Sequence, residues 1–222
     1  MCGRFTLIDP EMVVEEFEPD EIECDLGGSR YNVAPTQKVL GLMVRSSRRI
    51  LLEFQWGLVP AWARDPSMGG RMINARAETL AEKPAFKSAF QRSRCLVPAD
   101  GFYEWGKRGG KKQPMWIRVD GGRPFAFAGL YEIWHPGQDD EISSCTIITT
   151  EPNHLMRTIH HRMPVILPEQ TRDRWLDPDL TDQAELLGML KPFDARRMEV
   201  RPVSDYVNST RHDGPRCIEQ VG

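Results

Sequence analysis

The chain has 222 residues, of which 40% are hydrophobic and 27% are charged, a balance typical of a soluble globular protein with a buried core. Its formal net charge of −3 at pH 7 gives no overall electrostatic attraction to nucleic acid, although that sum averages over separate faces. No apolar run approaches the roughly 20 residues of a membrane span and the N-terminus lacks a signal-peptide pattern, so we expect a cytoplasmic protein without membrane contact.

The first predicted element is a short helix. Asp9 suits the cap, Pro10 suits the first helical position, and Met12, Val13 and Phe17 share an apolar face, so the helix is expected to end at Phe17. Strand patterns then dominate, at Val39–Val44, Ile50–Trp56, Cys95–Val97, Met115–Val119, Phe125–Leu130, Cys145–Thr149, Val165–Leu167 and Met198–Val203. Further helices are predicted at Ala77–Glu82, Pro84–Arg92, Glu169–Leu176 and Asp182–Leu190.

The order of these elements predicts the fold class. Helices interrupt the strands irregularly rather than in a βαβ rhythm, which favours an α+β fold with mainly antiparallel pairing. Asp120-Gly121-Gly122 is interpreted as a hairpin turn between two strands. No repeat or long linker divides the chain, so we expect one domain over residues 1–222, with a loosely held tail from about Asn208.

Local charge is uneven along the chain. Acidic residues crowd the first 25 positions, whereas Lys107, Arg108, Lys111 and Lys112 flank Gly109-Gly110. This basic segment is either a solvated loop or a positively charged contact surface, and the sequence leaves both interpretations open.

The five cysteines are odd in number and contain no CxxC pair, which favours reduced thiols and predicts neither a disulfide framework nor a structural metal. Cys2 differs from the others because removal of Met1 would give one residue a free α-amine and a thiol. With pKa values of about 8 and about 8.5, the two groups supply neutral amine and thiolate together near neutral pH. Such a pair can trap an aldehyde as an imine that closes to a thiazolidine.

Several segments between the predicted strands are rich in reactive residues, and function tends to lie on such loops. They are Met1–Phe5, Tyr31–Gln37, Trp56–Trp62, Ile73–Thr79, Gly101–Trp105 and His160–Pro164. In this order they resemble the SOS response-associated peptidase (SRAP) family, from Cys2 to about Val203. The resemblance implies a single domain of mainly antiparallel, barrel-like β-sheet with short flanking helices. It also implies a protein that shields abasic sites in single-stranded DNA through a covalent thiazolidine at Cys2.

Three further residues are expected to act with Cys2. Glu104 stands among large rings, an environment that raises a carboxyl pKa and suits proton transfer during opening of the sugar ring. His160 titrates near neutrality and matches the first position of the family's His-x-Arg-Met-Pro pattern; on a strand, His161 would face the opposite way. The resemblance assigns Asn74 to orienting the sugar or the Cys2 amine.

The same segments offer DNA contacts. Guanidinium groups of Arg4, Arg76 and Arg162 suit phosphate oxygens, although structural ion pairs are the alternative, most of all for Arg76 beside Glu78. Tryptophans can hold single strands by stacking on bases. Trp62 is expected to be exposed, Trp105 to contact DNA and Trp56 to pack in the core.

Two other functions stay open. Cys2, His160 and Asn74 also imitate a thiol peptidase, one that removes the protein's own N-terminal residue, and a non-catalytic single-strand binding module would leave Cys2 idle. The partner expected is single-stranded DNA containing abasic sites, with lyase-like strand incision as an associated activity. We expect no cofactor, no metal and a monomer, located on the nucleoid when bound to DNA.

Overall fold

The computed structural model describes residues 2–221, apart from the side chain of Arg108. Within that range the strands are β1 (Phe5–Leu7), β2 (Glu21–Ile22), β3 (Arg30–Val33), β4 (Lys38–Arg45), β5 (Arg48–Trp56), β6 (Asn74–Arg76), β7 (Arg94–Ala99), β8 (Gly101–Arg108), β9 (Lys111–Val119), β10 (Phe125–Trp134), β11 (Ile142–Thr150), β12 (Met163–Pro164), β13 (Ile166–Leu167) and β14 (Met198–Pro202). The helices are α1 (Glu11–Phe17), α2 (Pro84–Arg92), α3 (Glu169–Leu176) and α4 (Gln183–Met189).

Five strands close into a mixed barrel in a single domain. Antiparallel pairs run from β11 through β10, β7 and β4 to β5, and a parallel pairing of Ser144 with Gln55 and of Cys145 with Trp56 joins β5 back to β11. Strands β2 and β6 add further parallel pairs. The predicted α+β class with a barrel-like, mainly antiparallel sheet is confirmed.

The alternation of side chains along the barrel strands divides the core. On β10, Ala126, Ala128 and Leu130 join the cluster that packs under the four helices, whereas Phe125 and Phe127 join a second cluster with β1 and β8. Gly41 is required inside the barrel, because a Cβ there would lie 2.4 Å from the Phe54 ring. The first cluster lies on the outer face of the barrel strands, so the helices cover the outside of the barrel.

A second sheet, ordered β14, β9, β8, β1 and β3, packs against the barrel and carries the start of the chain. Phe5 pairs with Phe102 and with Val33, and its ring lies 5.2 Å from that of Trp56. These contacts hold the N-terminal strand inside the second sheet and pack its Phe5 ring against the barrel.

Several predicted elements differ from the observed ones. Helices α2 and α3 match their predicted bounds, whereas α1 begins at Glu11 with Pro10 as its N-cap and α4 is one residue shorter at each end than predicted. The helix expected at Ala77–Glu82 is only a 3-10 turn over Ala77–Thr79. The segment Gly101–Trp105, expected between strands, lies inside β8. Asp120–Gly122 is a 3-10 turn that joins strands of different sheets, so the hairpin prediction there is wrong.

The segment after Asn208, expected to be loosely held, is bonded to β3. Asn32 Nδ2 donates to the carbonyls of Ser209 (2.9 Å) and His212 (2.7 Å), and the Asp213 carboxylate accepts from the Asn32 backbone N–H at 3.0 Å. Cys217 is fully buried beneath this segment. The C-terminal residues are thus part of the folded domain.

Candidate functional site

Cys2 lies just before β1, where the N-terminal segment runs antiparallel to β8. The Tyr103 N–H donates to the Arg4 carbonyl at 3.0 Å, so the register of Phe5 with Phe102 continues toward the N-terminus. The Cys2 side chain is fully buried, and its Sγ lies 3.9 Å from the Arg4 carbonyl oxygen. Burial, with a smaller contribution from the Glu104 carboxylate, raises the pKa of this thiol far above its usual range, so the sulfur is a neutral thiol.

Asn74 connects the barrel to the N-terminal segment. It begins β6, which pairs in parallel with β11 through Ile147, and its Nδ2 donates to the Cys2 carbonyl at 2.8 Å. Its Oδ1 is buried and accepts no hydrogen bond from any residue in 2–221. A buried amide oxygen without a donor is costly, so this atom is available to a hydroxyl or amine that enters the site.

Glu104 occupies the middle of β8 and is only 3% exposed. Burial raises the pKa of its carboxyl, because the apolar surroundings disfavour the charged form. The Glu104 carboxylate raises the pKa of the Cys2 thiol, and the nearby His161 lowers the pKa of Glu104 by a smaller amount than burial raises it. A raised pKa brings the carboxyl closer to neutral pH, so it exchanges protons there more readily than an ordinary surface carboxyl.

His160 follows a 3-10 turn over Met156–Thr158 rather than lying on a strand. His160 Nδ1 lies 3.1 Å from the Arg162 backbone N–H and 3.2 Å from the Arg162 carbonyl oxygen. Because the backbone N–H can only donate, Nδ1 accepts from it, and the neutral ring then carries its proton on Nε2. Burial lowers the His160 pKa, which favours this neutral form. The expectation that His161 faces the opposite way is wrong, since the two imidazole centroids are 4.3 Å apart.

The three proposed phosphate-binding arginines are in different states. Arg162 forms a two-point ion pair with Glu78 at 2.6 and 2.9 Å and also donates to the Thr149 carbonyl. The alternative prediction, an ion pair between Arg76 and Glu78, is therefore wrong. Arg76 is exposed on β6, two residues after Asn74 and on the same face of the strand.

Arg4 is tied to the C-terminal segment. Its Nη1 donates to Asn32 Oδ1 at 2.7 Å and to the Val207 carbonyl at 3.0 Å, and its guanidinium lies 5.8 Å from the Trp105 ring. Trp105 is half-buried and donates from Nε1 to Asn208 Oδ1 at 2.7 Å. Both side chains have structural contacts on one side, and their contact with DNA stays a prediction.

The tryptophans of the segment Trp56–Trp62 differ as expected. Trp56 is fully buried and donates to the Ile73 carbonyl at 2.9 Å, whereas 59% of Trp62 is exposed. The loop that carries Trp62 is anchored on both sides, because the Val59 N–H donates to Ser144 Oγ and Trp134 Nε1 donates to the Ala63 carbonyl, each at 2.8 Å. The Trp62 ring is therefore exposed to solvent on a loop whose two ends are hydrogen-bonded to the rest of the domain.

Sequence reasoning missed Asn32, whose amide joins Arg4 to three carbonyls of the C-terminal segment. Its position in the string Tyr31–Gln37 was the available signal, but its partners lie too far along the chain to be inferred from spacing. All five cysteines are free thiols, and over residues 2–221 no three His, Cys, Asp or Glu side chains converge to hold a metal ion. No helix in this range is long and apolar enough to cross a bilayer.

Comparison with known proteins gives concordant results. The family model described as SOS response associated peptidase (SRAP) matches residues 1–210. The chain is 46% identical to the abasic site processing protein YoqW of Bacillus subtilis, over 99% of both chains. It is 36% identical to the abasic site processing protein HMCES of Gallus gallus, over 79% of this chain and 59% of that protein. A crystal structure of a protein from Bacteroides thetaiotaomicron superposes with a TM-score of 0.87 at 28% identity, covering 99% of this chain and 100% of the other.

Proposed function

The chain belongs to the SOS response-associated peptidase family, and on that premise we propose that it processes abasic sites in DNA by covalent capture through Cys2. Relatives that share its full length carry the name abasic site processing protein. The observation that most supports covalent capture is the arrangement around Cys2, where the Asn74 amide donates to its carbonyl and the Glu104 carboxyl is electrostatically coupled to its thiol.

The proposed reaction joins the aldehyde carbon of a ring-opened abasic deoxyribose to both heteroatoms of Cys2. The α-amine adds to the aldehyde and loses water to give an imine. The thiol then adds across the C=N bond, so that the sulfur bonds to carbon and the thiol proton ends on nitrogen. No oxidant or reductant is needed. The amine is free only after removal of Met1, a residue that lies outside the described part of the chain.

Proton transfer in this sequence falls to Glu104 and His160. An abasic sugar is mainly a closed hemiacetal, and opening it moves a proton between two sugar oxygens. The raised pKa of Glu104 suits that transfer, while neutral His160 offers an Nε2–H donor. The Asn74 Oδ1 can accept from the sugar hydroxyl or the amine.

Single-stranded DNA is the proposed substrate because an open strand can expose its sugar to a buried thiol. Arg76 is free to contact phosphate, and Arg162 can turn from Glu78 to phosphate or hold Glu78 in place. Trp62 offers an exposed ring for base stacking, which is tolerant of sequence.

The thiol peptidase alternative has less support. A peptidase cysteine needs a lowered pKa to supply thiolate, usually from a neighbouring imidazolium. Here burial raises the thiol pKa, and His160 is held neutral. Aldehyde capture tolerates a neutral thiol better, because the amine makes the first bond and the thiol proton is then transferred to nitrogen.

The decisive experiment is to incubate the protein with single-stranded DNA containing one abasic site. We expect an adduct that survives denaturing electrophoresis without borohydride, with an intact mass equal to protein lacking Met1 plus DNA minus one water. Cys2→Ser should lose this stability, and a variant that keeps a blocked α-amine should form no adduct. Cys24→Ser is the matched control, because this half-buried thiol lies on the segment before β3.

The opposite result is equally clear. Normal crosslinking through Cys2 by the blocked protein would exclude the thiazolidine and favour chemistry at the sulfur alone. If Cys2→Ser and wild type both bind DNA tightly and neither forms an adduct, the protein is a non-catalytic DNA-binding module.

A further inference from the structure

The hairpin formed by β8 and β9 ends in a basic tip that the mechanism above does not use. Lys107 pairs with Lys112 and Arg108 with Lys111, and Gly109-Gly110 makes the turn with positive φ values of 57° and 79°. We call this feature the basic hairpin, defined as residues 107–112. The segment that the sequence left open as a solvated loop or a contact surface is thus the end of a β-hairpin.

The basic hairpin continues directly from the proposed site. Glu104 lies three residues before Lys107 on the same strand, which places the start of the tip about 10 Å away at about 3.3 Å per residue. Gly106 packs toward the residue before His160, since a Cβ there would lie 3.5 Å from Ile159 Cγ2. The hairpin therefore passes the catalytic candidates on its way into solvent.

Charge at this tip is uncompensated. Lys107, Lys111 and Lys112 are exposed, and among the side chains described none of the three forms an ion pair. Other surface cations do find partners, as Lys38 does with Glu53 at 2.9 Å and Arg174 with Glu185 at 2.6 Å.

The pairing itself is unfavourable. Side chains directly opposite each other in an antiparallel pair lie about 5 Å apart, and like charges there are destabilising. The basic hairpin has such a like-charge pair where Lys107 lies opposite Lys112. A polyanion laid along the tip would remove that repulsion.

We propose that the basic hairpin binds backbone phosphates of the DNA strand a few nucleotides from the abasic site. This inference rests on the proposed function, because it takes the strand that enters the Cys2 site as its ligand. A reach of about 10 to 20 Å corresponds to about three to six phosphates at the duplex spacing of about 3.4 Å per nucleotide, and to fewer in an extended single strand. The contact reads charge and not base identity.

The test compares wild type with the triple variant Lys107→Gln, Lys111→Gln and Lys112→Gln on abasic single strands of two lengths, with each Kd measured in a Cys2→Ser background so that no stable adduct forms. On a strand extending about ten nucleotides on both sides, we expect the Kd at about 0.1 M salt to rise about tenfold or more. The slope of log Kd against log salt should fall by up to about 2, since each phosphate contact on a single strand contributes about 0.7. On a strand with one flanking nucleotide on each side, both differences should nearly vanish.

Two controls separate this effect from general charge and from misfolding. Lys83, Lys87 and Lys191 are also exposed, and changing all three to Gln alters net charge equally but should change Kd less than about twofold. Changing the three hairpin lysines to Arg should retain wild-type binding. Loss of binding by this Arg variant as well would overturn the phosphate interpretation, because charge would not be the determinant.

The outcomes distinguish the two proposals. If wild type forms no adduct on either strand, the proposed function fails. If wild type forms the adduct while the Gln variant binds the long strand with unchanged Kd and salt slope, the basic hairpin is only a solvated turn and this inference fails alone.

Discussion

Two buried polar regions of this molecule use their hydrogen-bonding groups in opposite ways. Arg94, at the start of β7, is 4% exposed and donates to the carbonyls of five residues of the surrounding helices and turns, which are Phe90, Gln91, Trp175, Asp177 and Leu180. Around Cys2, a carboxyl and a thiol are buried with raised pKa values, and an amide oxygen accepts no hydrogen bond within residues 2–221.

The difference separates stabilising groups from reactive ones. A buried guanidinium whose five N–H groups are all used orders the helices around it and has no capacity left for a ligand. A buried group with an unfavourable pKa or an unused acceptor makes the folded state less stable, and such sites concentrate where chemistry occurs.

The largest expected effect is kinetic. Glu104→Gln removes the proton shuttle while keeping the shape of the side chain, so single-turnover adduct formation at saturating DNA should slow by about 10² to 10⁴. Glu15→Gln, on the exposed face of α1, should leave the rate unchanged. Rates for Glu104→Gln equal to wild type would remove the residue from the mechanism.

The same variant should be more stable than wild type. Because burial raises the folded-state pKa of Glu104, the folded protein binds more protons than the unfolded chain between the two pKa values. Wild-type stability from this group therefore falls as pH rises from about 4.3 through the folded pKa, whereas Gln has no such dependence. Urea unfolding at pH 5 and pH 8 should show a stability gain that grows with pH.

The next effect concerns stability alone. Arg94→Lys keeps the charge but offers three donors in place of five, so the free energy of unfolding should fall by about 3 kcal/mol. Adduct formation per folded molecule should stay unchanged. Arg92→Lys is the control, since its exposed guanidinium bonds to Ser88 Oγ and to no other side chain described, and it should cost less than about 0.5 kcal/mol. A slower reaction in folded Arg94→Lys would contradict the separation of the two regions.

Two asparagines, the buried Asn32 and the half-buried Asn74, sharpen the same contrast. Asn32→Ala removes one acceptor and donors to three carbonyls, and should lower the free energy of unfolding by about 2 kcal/mol and expose residues 208–221 to amide exchange. Asn74→Ala should cost less stability, because its Oδ1 is already without a donor, but should slow adduct formation more. Equal effects of both variants on both measurements would remove the distinction.

Much of the fold was predictable because its determinants are local. Pro84 at the first position of α2 and the apolar spacing of α1 define helices with short-range signals. Strands β10 and β11 were recognisable by their long β-branched and aromatic runs. The functional segments were found through their resemblance to a family.

What was missed depends on distant partners. Strand β8 contains Gly101 and Gly106, which weaken a strand pattern, although the aromatic residues between them favour one. Its pairing with β9 and β1 decides its conformation. Glu78 pairs with Arg162 rather than with Arg76, two residues away, because the β11 edge brings Arg162 close. Barrel closure by the parallel β5–β11 pair likewise joins segments about 90 residues apart, which no local pattern encodes.

The smallest predicted effect compares two tryptophans, Trp175 beside Arg94 and Trp62 on an exposed loop. Trp175 is fully buried and donates from Nε1 to the Cys95 carbonyl at 3.0 Å, whereas Trp62 is 59% exposed on its anchored loop. Trp62→Ala should weaken binding of single-stranded DNA by about 1 to 2 kcal/mol through lost base stacking and leave the thermal midpoint unchanged. Trp175→Ala should instead destabilise the fold by about 3 to 5 kcal/mol. Fluorescence titration and thermal unfolding of both variants measure this, and a Trp62→Ala protein that melts early with normal DNA affinity would reassign Trp62 to the scaffold.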